Sequence, residues 1–155
     1  MTKVLIALDE SPVSVRAARV AHQLFAGAGN EFLVINVTRL PVPWVSGGIY
    51  GEVWAADPLL WTDQTTEIEA AEREELAAEA SEAGLEHPEI LVETGDPADA
   101  IIKAAEDQDV DVIVVGSHDK GFLRRLLDPS VADRVVHHSH RPVLVVGGVV
   151  EDDHG

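Results

Sequence analysis

The sequence predicts an α/β protein whose five strands form one open, parallel sheet with helices on both faces. Five short apolar runs rich in β-branched residues are typical of strands buried on both sides. They occupy residues 4–8, 32–37, 88–93, 110–115 and 143–146. The segments between them place apolar residues at helical spacing, and this alternation favours parallel pairing through right-handed crossovers.

The first strand is followed by a helix, for which Ser11 and Pro12 provide an N-cap and a first-turn residue. The apolar residues expected to pack on the sheet recur at helical spacing, and they are Val13, Ala17, Val20, Ala21 and Leu24. Gly27 and Gly29 are expected to end this helix before the second strand begins.

A long segment, residues 38–61, connects the second strand to the next helix and contains all three tryptophans of the chain. A connection of this length without periodicity is usually functional or mobile. It is interpreted either as a lid or partner-docking surface, or as aromatic side chains that fold back over the sheet. The helix over 67–83 is expected to be amphipathic, with glutamates on its solvent side. Its inward arc is predicted to contain Ala70, Leu76, Ala77, Ala80 and Ala83.

The second half of the chain continues the alternation. Asp96 and Pro97 predict the N-cap and the first residue of a helix over 98–105. After the fourth strand, Gly116 begins a polar turn, and Ser130 is predicted to be the N-cap of a further helix. That helix carries three valines, namely Val131, Val135 and Val136.

The composition is that of one compact domain. A chain of 155 residues with 46% hydrophobic content is long enough to bury a full core. We expect this domain over residues 1–148 and a disordered acidic tail over 149–155. The absence of cysteine excludes disulfides and thiolate metal sites. The first apolar run is too short for a signal-peptide core or a membrane span, which predicts a cytoplasmic protein.

The charge is strongly acidic, and its few cations are unevenly placed. A formal net charge of -17 repels polyanions, so binding to nucleic acid or to an anionic membrane is not expected. Of the 11 lysines and arginines, four fall close together after the fourth strand, namely Lys120, Arg124, Arg125 and Arg134. This local positive charge indicates either an anionic ligand or pairing with nearby carboxylates.

The stretch over 112–131, VIVVGSHDKGFLRRLLDPSV, is where the predicted chemistry concentrates. Here a buried strand breaks into a basic loop that faces a helix N-terminus, an arrangement that attracts anions. Together with VLIALDES, TGDPADAII and PVLVV, the stretch resembles the universal stress protein family. This resemblance implies the adenine nucleotide alpha hydrolase-like fold. Many members of the family bind adenine nucleotides through a G-x2-G-x9-G-[S/T] loop that closes on the phosphates.

The resemblance also implies the strand order 3-2-1-4-5, with a switch point between the first and fourth strands, where open parallel sheets bind ligands. The implied ligand is ATP or another adenine nucleotide, with Mg²⁺. The implied nucleotide-binding residues are Asp9, Val37, Gly116, Ser117, His118, Lys120, Gly121, Ser130 and Val131. The backbone around Val37 would face the adenine edge, and Asp9 would lie beside the nucleotide. The alternative for Asp9 is a turn carboxylate that caps the following helix.

Two positions depart from the family's loop. Asp119 replaces its second glycine and Pro129 its third. Pro129 lacks an N–H and cannot adopt left-handed conformations. A carboxylate about 4 Å from a phosphate charge would cost on the order of 4 kcal/mol at an effective dielectric of about 20, unless the neighbouring cations or a bridging Mg²⁺ offset it. Two hypotheses follow: a dimeric regulator that binds an adenine nucleotide, or a dimeric interaction module that has lost nucleotide binding.

No general acid and base pair and no activated nucleophile accompany the loop, so catalysis is not expected. A phosphoacceptor domain is a third alternative, but it needs acids clustered at successive strand ends, and the third strand ends in Glu93, Thr94 and Gly95. No metal site is predicted from the histidines either. They are interpreted as solvated residues at a helix end, and they are His137, His138 and His140.

The fifth strand lies at a sheet edge in the implied order. An apolar edge strand is seldom left open, so we expect residues 143–146 to pair with the same strand of a second copy. The resemblance likewise implies a homodimer. A regulatory protein partner is expected as well, but no motif identifies it.

Overall fold

The computed structural model describes residues 1–9, 11–27, 29–38, 58–117 and 129–147. Over these ranges strands and helices alternate without exception. In chain order the elements are β1 (Lys3–Ala7), α1 (Pro12–Phe25), β2 (Glu31–Thr38), α2 (Pro58–Glu82), β3 (Glu89–Thr94), α3 (Pro97–Asp107), β4 (Val112–Ser117), α4 (Pro129–His138) and β5 (Val143–Gly147). The predicted loop after β2 and the predicted acidic tail lie largely outside the described residues.

The five strands form one parallel sheet in the order β3-β2-β1-β4-β5. The predicted fold class and strand order are therefore confirmed. Two predicted helix starts are wrong. The helix expected from residue 67 begins at Pro58, and α4 begins at Pro129, so Ser130 is its second residue rather than its N-cap. Proline suits the first helical position because its φ is already helical and the N–H it lacks would have no intrahelical partner.

The core is divided by the sheet into two layers. Along β1 and β4, successive side chains alternate between the layers, because side chains of a strand point to opposite faces. Ile6 and Val114 belong to the layer that α1 and α2 cover, whereas Leu5 and Ile113 belong to the layer that α3 and α4 cover. β1 is thus covered by helices on both faces and hydrogen-bonded to β2 and β4 along its two edges, which fixes the position of its carboxyl end.

The helices rest on the sheet mainly through small residues. α1 buries Ser14, Ala17, Ala18 and Ala21, whereas Leu24, predicted to face the sheet, is 61% exposed. In α2, the predicted inward arc is only partly right. Leu76, Ala80 and Ala83 are buried, but Ala70 and Ala77 are exposed. Ala77 lies about 100° around the helix from Leu76 and falls on the side that faces solvent.

A charged cluster joins the start of α3 to α4. The Asp96 carboxylate accepts a hydrogen bond from the Asp99 N–H (3.1 Å), which makes Asp96 the N-cap of α3, as predicted. Arg134 donates to Asp96 (3.0 Å) and to Asp99 (3.3 Å). The hydrogen bond to Asp96 and the charges of both carboxylates raise the pKa of the Arg134 guanidinium above its ordinary value. The sequence left open whether the basic residues after β4 bind an anionic ligand or pair with carboxylates. For Arg134, the structure supports pairing with carboxylates.

We expect Asp96→Ala to lower the free energy of unfolding by about 1 kcal/mol, because α3 loses its N-cap acceptor. Asp96→Asn keeps an oxygen that accepts the Asp99 N–H and loses only the charge of an exposed ion pair, so its effect should be smaller. Urea denaturation of the three proteins at low and high salt measures both contributions. Equal losses in the two variants would contradict the capping role.

Candidate functional site

β1 ends before its two neighbours in the sheet, so the tips of β2 and β4 extend past it and leave a gap at its carboxyl end, here called the crevice. The ladder between β1 and β4 ends at the pair Ile6 and Val114, and β4 then continues to Ser117. β2 likewise extends past the end of β1, to Thr38. The chain leaves β1 at Asp9, at the base of this gap. The crevice lies at the switch point of the sheet, where open α/β sheets bind their ligands.

Asp9 organises the turn from β1 into α1. Its Oδ1 accepts a hydrogen bond from the Ser11 N–H (3.0 Å), and its own N–H donates to Ser14 Oγ (3.2 Å). Ser11 is the N-cap of α1, as predicted, since its side chain accepts from the Ser14 N–H (3.1 Å). The carboxylate therefore has the turn-forming role considered as its alternative. This network also holds Asp9, only partly buried, at the base of the crevice.

Gly116 brings β4 against the first turn of α1. A Cβ atom at this position would lie 2.7 Å from Val13 Cγ1 and 3.2 Å from the Val13 carbonyl oxygen. The first distance is shorter than packed carbon atoms tolerate, and the second is tighter than most contacts of a Cβ atom, so the neighbour would have to shift. Val13 therefore occupies the space that a side chain at position 116 would need. This close approach places the start of α1 beside the tip of β4.

The opposite wall of the crevice is the tip of β2. Asn36 Nδ2 donates to the Leu8 carbonyl (2.9 Å), and the Thr38 hydroxyl donates to Asn36 Oδ1 (3.4 Å). Val37 lies between these two polar residues and is partly buried. Sequence reasoning did not select Asn36. The available signal was an amide inside FLVINV, a run otherwise typical of a strand covered on both faces.

The predicted site residues are thus only partly placed. The structure brings together four of them at neighbouring strand tips, namely Asp9, Val37, Gly116 and Ser117. Val131 is buried in the core layer under α4, so a ligand could meet only its backbone. Ser130 lies in the first turn of α4. His118, Lys120 and Gly121 lie outside the described residues, as do Asp119, Arg124 and Arg125.

Charged groups elsewhere in the described chain do not extend the crevice. A groove of about 280 Å³ lies between the tip of β3 and α3, away from β1, and its lining includes Glu93, Asp96, Lys103 and Asp107. His137 and His138 are exposed in the last turn of α4. Within the described ranges, no three metal-ligating side chains are grouped for a metal ion, and no helix is long and apolar enough to cross a bilayer.

A parallel α/β sheet with a crevice at its switch point defines a broad class of ligand-binding folds. The family model described as the universal stress protein family matches residues 1–147. This chain therefore belongs to the universal stress protein family, as its motifs indicate.

Curated relatives from two organisms carry the same family name or a stress-response name. Universal stress protein MJ0531 of Methanocaldococcus jannaschii is 35% identical over 145 residues, which cover 93% of this chain and 81% of that protein. Universal stress protein MJ0577 of the same organism is 38% identical over 84 residues, or 54% of this chain and 51% of that protein. Stress response protein NhaX of Bacillus subtilis is 32% identical over 111 residues, or 72% of this chain and 61% of that protein. The aligned segments thus span about half of MJ0577 and less than two thirds of NhaX.

Solved structures show the same architecture. The structure of MJ0577 superposes with a TM-score of 0.68 at 25% identity and covers 96% of both chains. A universal stress protein in complex with cAMP superposes with a TM-score of 0.59 at 23% identity, over 94% of this chain and 95% of that one. At 23% identity, the similarity to the cAMP-bound protein shows only that the two chains share a fold.

Proposed function

We propose that this protein binds an adenine nucleotide with Mg²⁺ in the crevice at the end of β1, and that it acts as a dimeric regulator in a stress response without turning the nucleotide over. The observation that carries the proposal is the position of the crevice. β1 ends short of both neighbours at the switch point, with Asp9 at the base of the crevice and Gly116 at the tip of β4. Family membership and the cAMP complex of a universal stress protein support the choice of an adenine nucleotide.

The described residues suit such a ligand in two ways. The backbone of Val37 lies at the tip of β2, where an extended residue offers hydrogen-bonding groups to a base. On the other side, the N-terminus of α4 follows the loop after β4, and free N–H groups at a helix start favour phosphate oxygens. Base and phosphates would therefore lie on opposite walls of the crevice, with the Asp9 turn between them.

The direct test is isothermal titration calorimetry with ATP, ADP, AMP and cAMP, each with and without Mg²⁺. Saturable heat with at least one of them supports the proposal. No heat at millimolar ligand removes it and favours the second candidate, a dimeric interaction module that has lost nucleotide binding. Two sequence features favour that candidate, since Asp119 and Pro129 replace glycines of the family's loop.

Asp119 gives a sharper prediction about the metal. If Mg²⁺ bridges its carboxylate to the phosphates, wild-type binding of ATP depends on Mg²⁺, and Asp119→Asn should reduce that dependence about tenfold or more. Without Mg²⁺, the variant should bind ATP more tightly than wild type, because a repelling charge is gone. The matched control is Glu106→Gln, which removes one exposed negative charge from α3. An unchanged Mg²⁺ dependence in Asp119→Asn would remove the metal bridge.

The dimer is proposed to form through β5. Its side chains are incompletely covered, since Val145 is 41% exposed and Val143 and Leu144 are only partly buried. At the other edge of the sheet, the Arg73 guanidinium donates to the Ile90 carbonyl of β3 (2.9 Å) and occupies one backbone acceptor there. Apolar side chains on an uncovered edge strand favour pairing with a second copy. A cytoplasmic location and a regulatory protein partner stay predictions.

A further inference from the structure

At the end of the ladder between β1 and β2, a side-chain amide donates a hydrogen bond where a backbone N–H would be expected. The last backbone bond of this ladder runs from the Leu8 N–H to the Ile35 carbonyl (2.9 Å). In a regular parallel ladder, the Leu8 carbonyl would next accept from the N–H of Val37, since a residue bonds to positions on either side of its partner. Here the Leu8 carbonyl accepts instead from Asn36 Nδ2 (2.9 Å). A side-chain amide has taken the position of a backbone donor.

The backbone at Val37 is nevertheless kept extended by β3, the strand on the other side of β2. β2 continues its ladder with β3 to the pair Thr38 and Thr94, and the Gly95 N–H donates to the Thr38 carbonyl (3.1 Å). Because backbone groups alternate in direction along a strand, Thr38 faces β3 and Val37 faces the crevice.

Within the described chain, the Val37 N–H makes no backbone hydrogen bond to the Leu8 carbonyl, the acceptor that a regular ladder would give it. Asp9, the residue opposite, directs its own N–H away to Ser14 Oγ (3.2 Å). The last residues of β1 therefore turn from β2 at the point where Asn36 bridges the two strands.

We propose that Asn36 is a positioning residue that keeps the Val37 N–H available for an adenine base. Its carboxamide donates to the Leu8 carbonyl in the place that the Val37 N–H would take in a regular ladder, which leaves that N–H facing the crevice. The inference rests on the proposed function. An extended residue presents an N–H donor beside a C=O acceptor, which matches adenine, whose ring N1 accepts and whose 6-amino group donates. Guanine held in the same orientation would place its N1–H donor against the N–H and its O6 acceptor against the C=O, so a base held in that one orientation is selected as adenine.

The first test needs no ligand and uses amide hydrogen exchange measured by NMR. In the wild type, the Val37 amide should exchange at least about tenfold faster than the Ile35 amide, which lies within the ladder. In Asn36→Leu the side chain keeps its approximate size but has no donor. The Leu8 carbonyl then becomes available to the Val37 N–H, whose exchange should slow about tenfold.

The matched control is Thr38→Val, which removes the hydroxyl that donates to Asn36 Oδ1 but leaves the Asn36 donor in place. Exchange at Val37 should be the same in this variant as in wild type. A wild-type Val37 amide as protected as that of Ile35 overturns the inference without any variant. An unchanged Val37 amide in a folded Asn36→Leu protein overturns it as well.

The second test is calorimetric binding of ATP and GTP to the same proteins. Asn36→Leu should bind ATP about three to ten times more weakly, the fold-change of one hydrogen bond, and its preference for ATP over GTP should fall. Unchanged affinity and preference overturn the role in base selection. If the wild type binds neither nucleotide, the proposed function fails together with the adenine part of this inference. The exchange experiment distinguishes that result from a failure of the Asn36 bridge.

Discussion

Gly116→Ala is expected to destabilise the protein by about 1–3 kcal/mol, the usual cost of overpacking a well-filled interior. The added Cβ would lie 2.7 Å from Val13 Cγ1 and 3.2 Å from the Val13 carbonyl oxygen. The side chain is β-branched and stiff, and the carbonyl belongs to the first turn of α1, so neither contact can be relieved by rotation alone. The start of α1 would have to move away from β4. Urea denaturation gives the loss as a lower midpoint with little change in slope.

A double-mutant cycle identifies the contact responsible. Val13→Ala removes Cγ1, so the double variant should recover part of the loss, whereas the 3.2 Å approach to the carbonyl oxygen is left in place. The control is Gly27→Ala, where the new Cβ would meet only an ordinary contact at 3.5 Å from Asn30 Nδ2. Full additivity of the Val13 and Gly116 substitutions would show that the two residues do not clash and that the destabilisation has another origin.

The strands were predictable because the physics that forms them is local to each run. A parallel strand covered on both faces must be apolar throughout, and β1 and β4 are buried along nearly their whole length. The order of the strands was not available from periodicity. Any of several arrangements buries the same runs, and the order 3-2-1-4-5 came from the family resemblance. The helix start at Pro58 was missed because the segment before it mixes prolines, glycines and aromatics without a period, and the start at Pro129 was missed because serine is a common N-cap residue, which favoured Ser130 for that position.

The site was predictable only where it coincides with a strand end. Asp9 and Gly116 follow directly from where two apolar runs stop. The contacts that shape the crevice join residues distant in sequence, such as Asn36 with Leu8 and Gly116 with Val13. Which glycine faces a ligand and which faces a helix depends on the packing of α1. Likewise, the residue that replaces a backbone donor is known only once the register of β1 and β2 is fixed.

The proposed dimer gives the other large effect. Val145→Lys is expected to dissociate the proposed β5 homodimer, raising its dissociation constant by at least about tenfold. Val145 is the middle residue of β5, so antiparallel pairing of two β5 strands about a two-fold axis would place the two Val145 side chains near each other. Two lysines there would exchange an apolar contact for like charges at short range, and lysine is a residue that natural edge strands use to prevent pairing. Sedimentation equilibrium over a concentration series measures the change.

The control must carry the same change of charge, because a chain with a formal net charge of -17 also repels its own copies. Leu24→Lys fulfils this requirement. Leu24 is an exposed apolar residue on α1, it is 61% exposed, and its replacement relieves the overall repulsion as much as Val145→Lys does. The control should therefore dimerise as well as wild type or slightly better, and both variants should unfold near the wild-type midpoint at equal salt. A wild-type protein that sediments as a monomer, or a Val145→Lys protein that dimerises as the control does, would mean that β5 is not the interface.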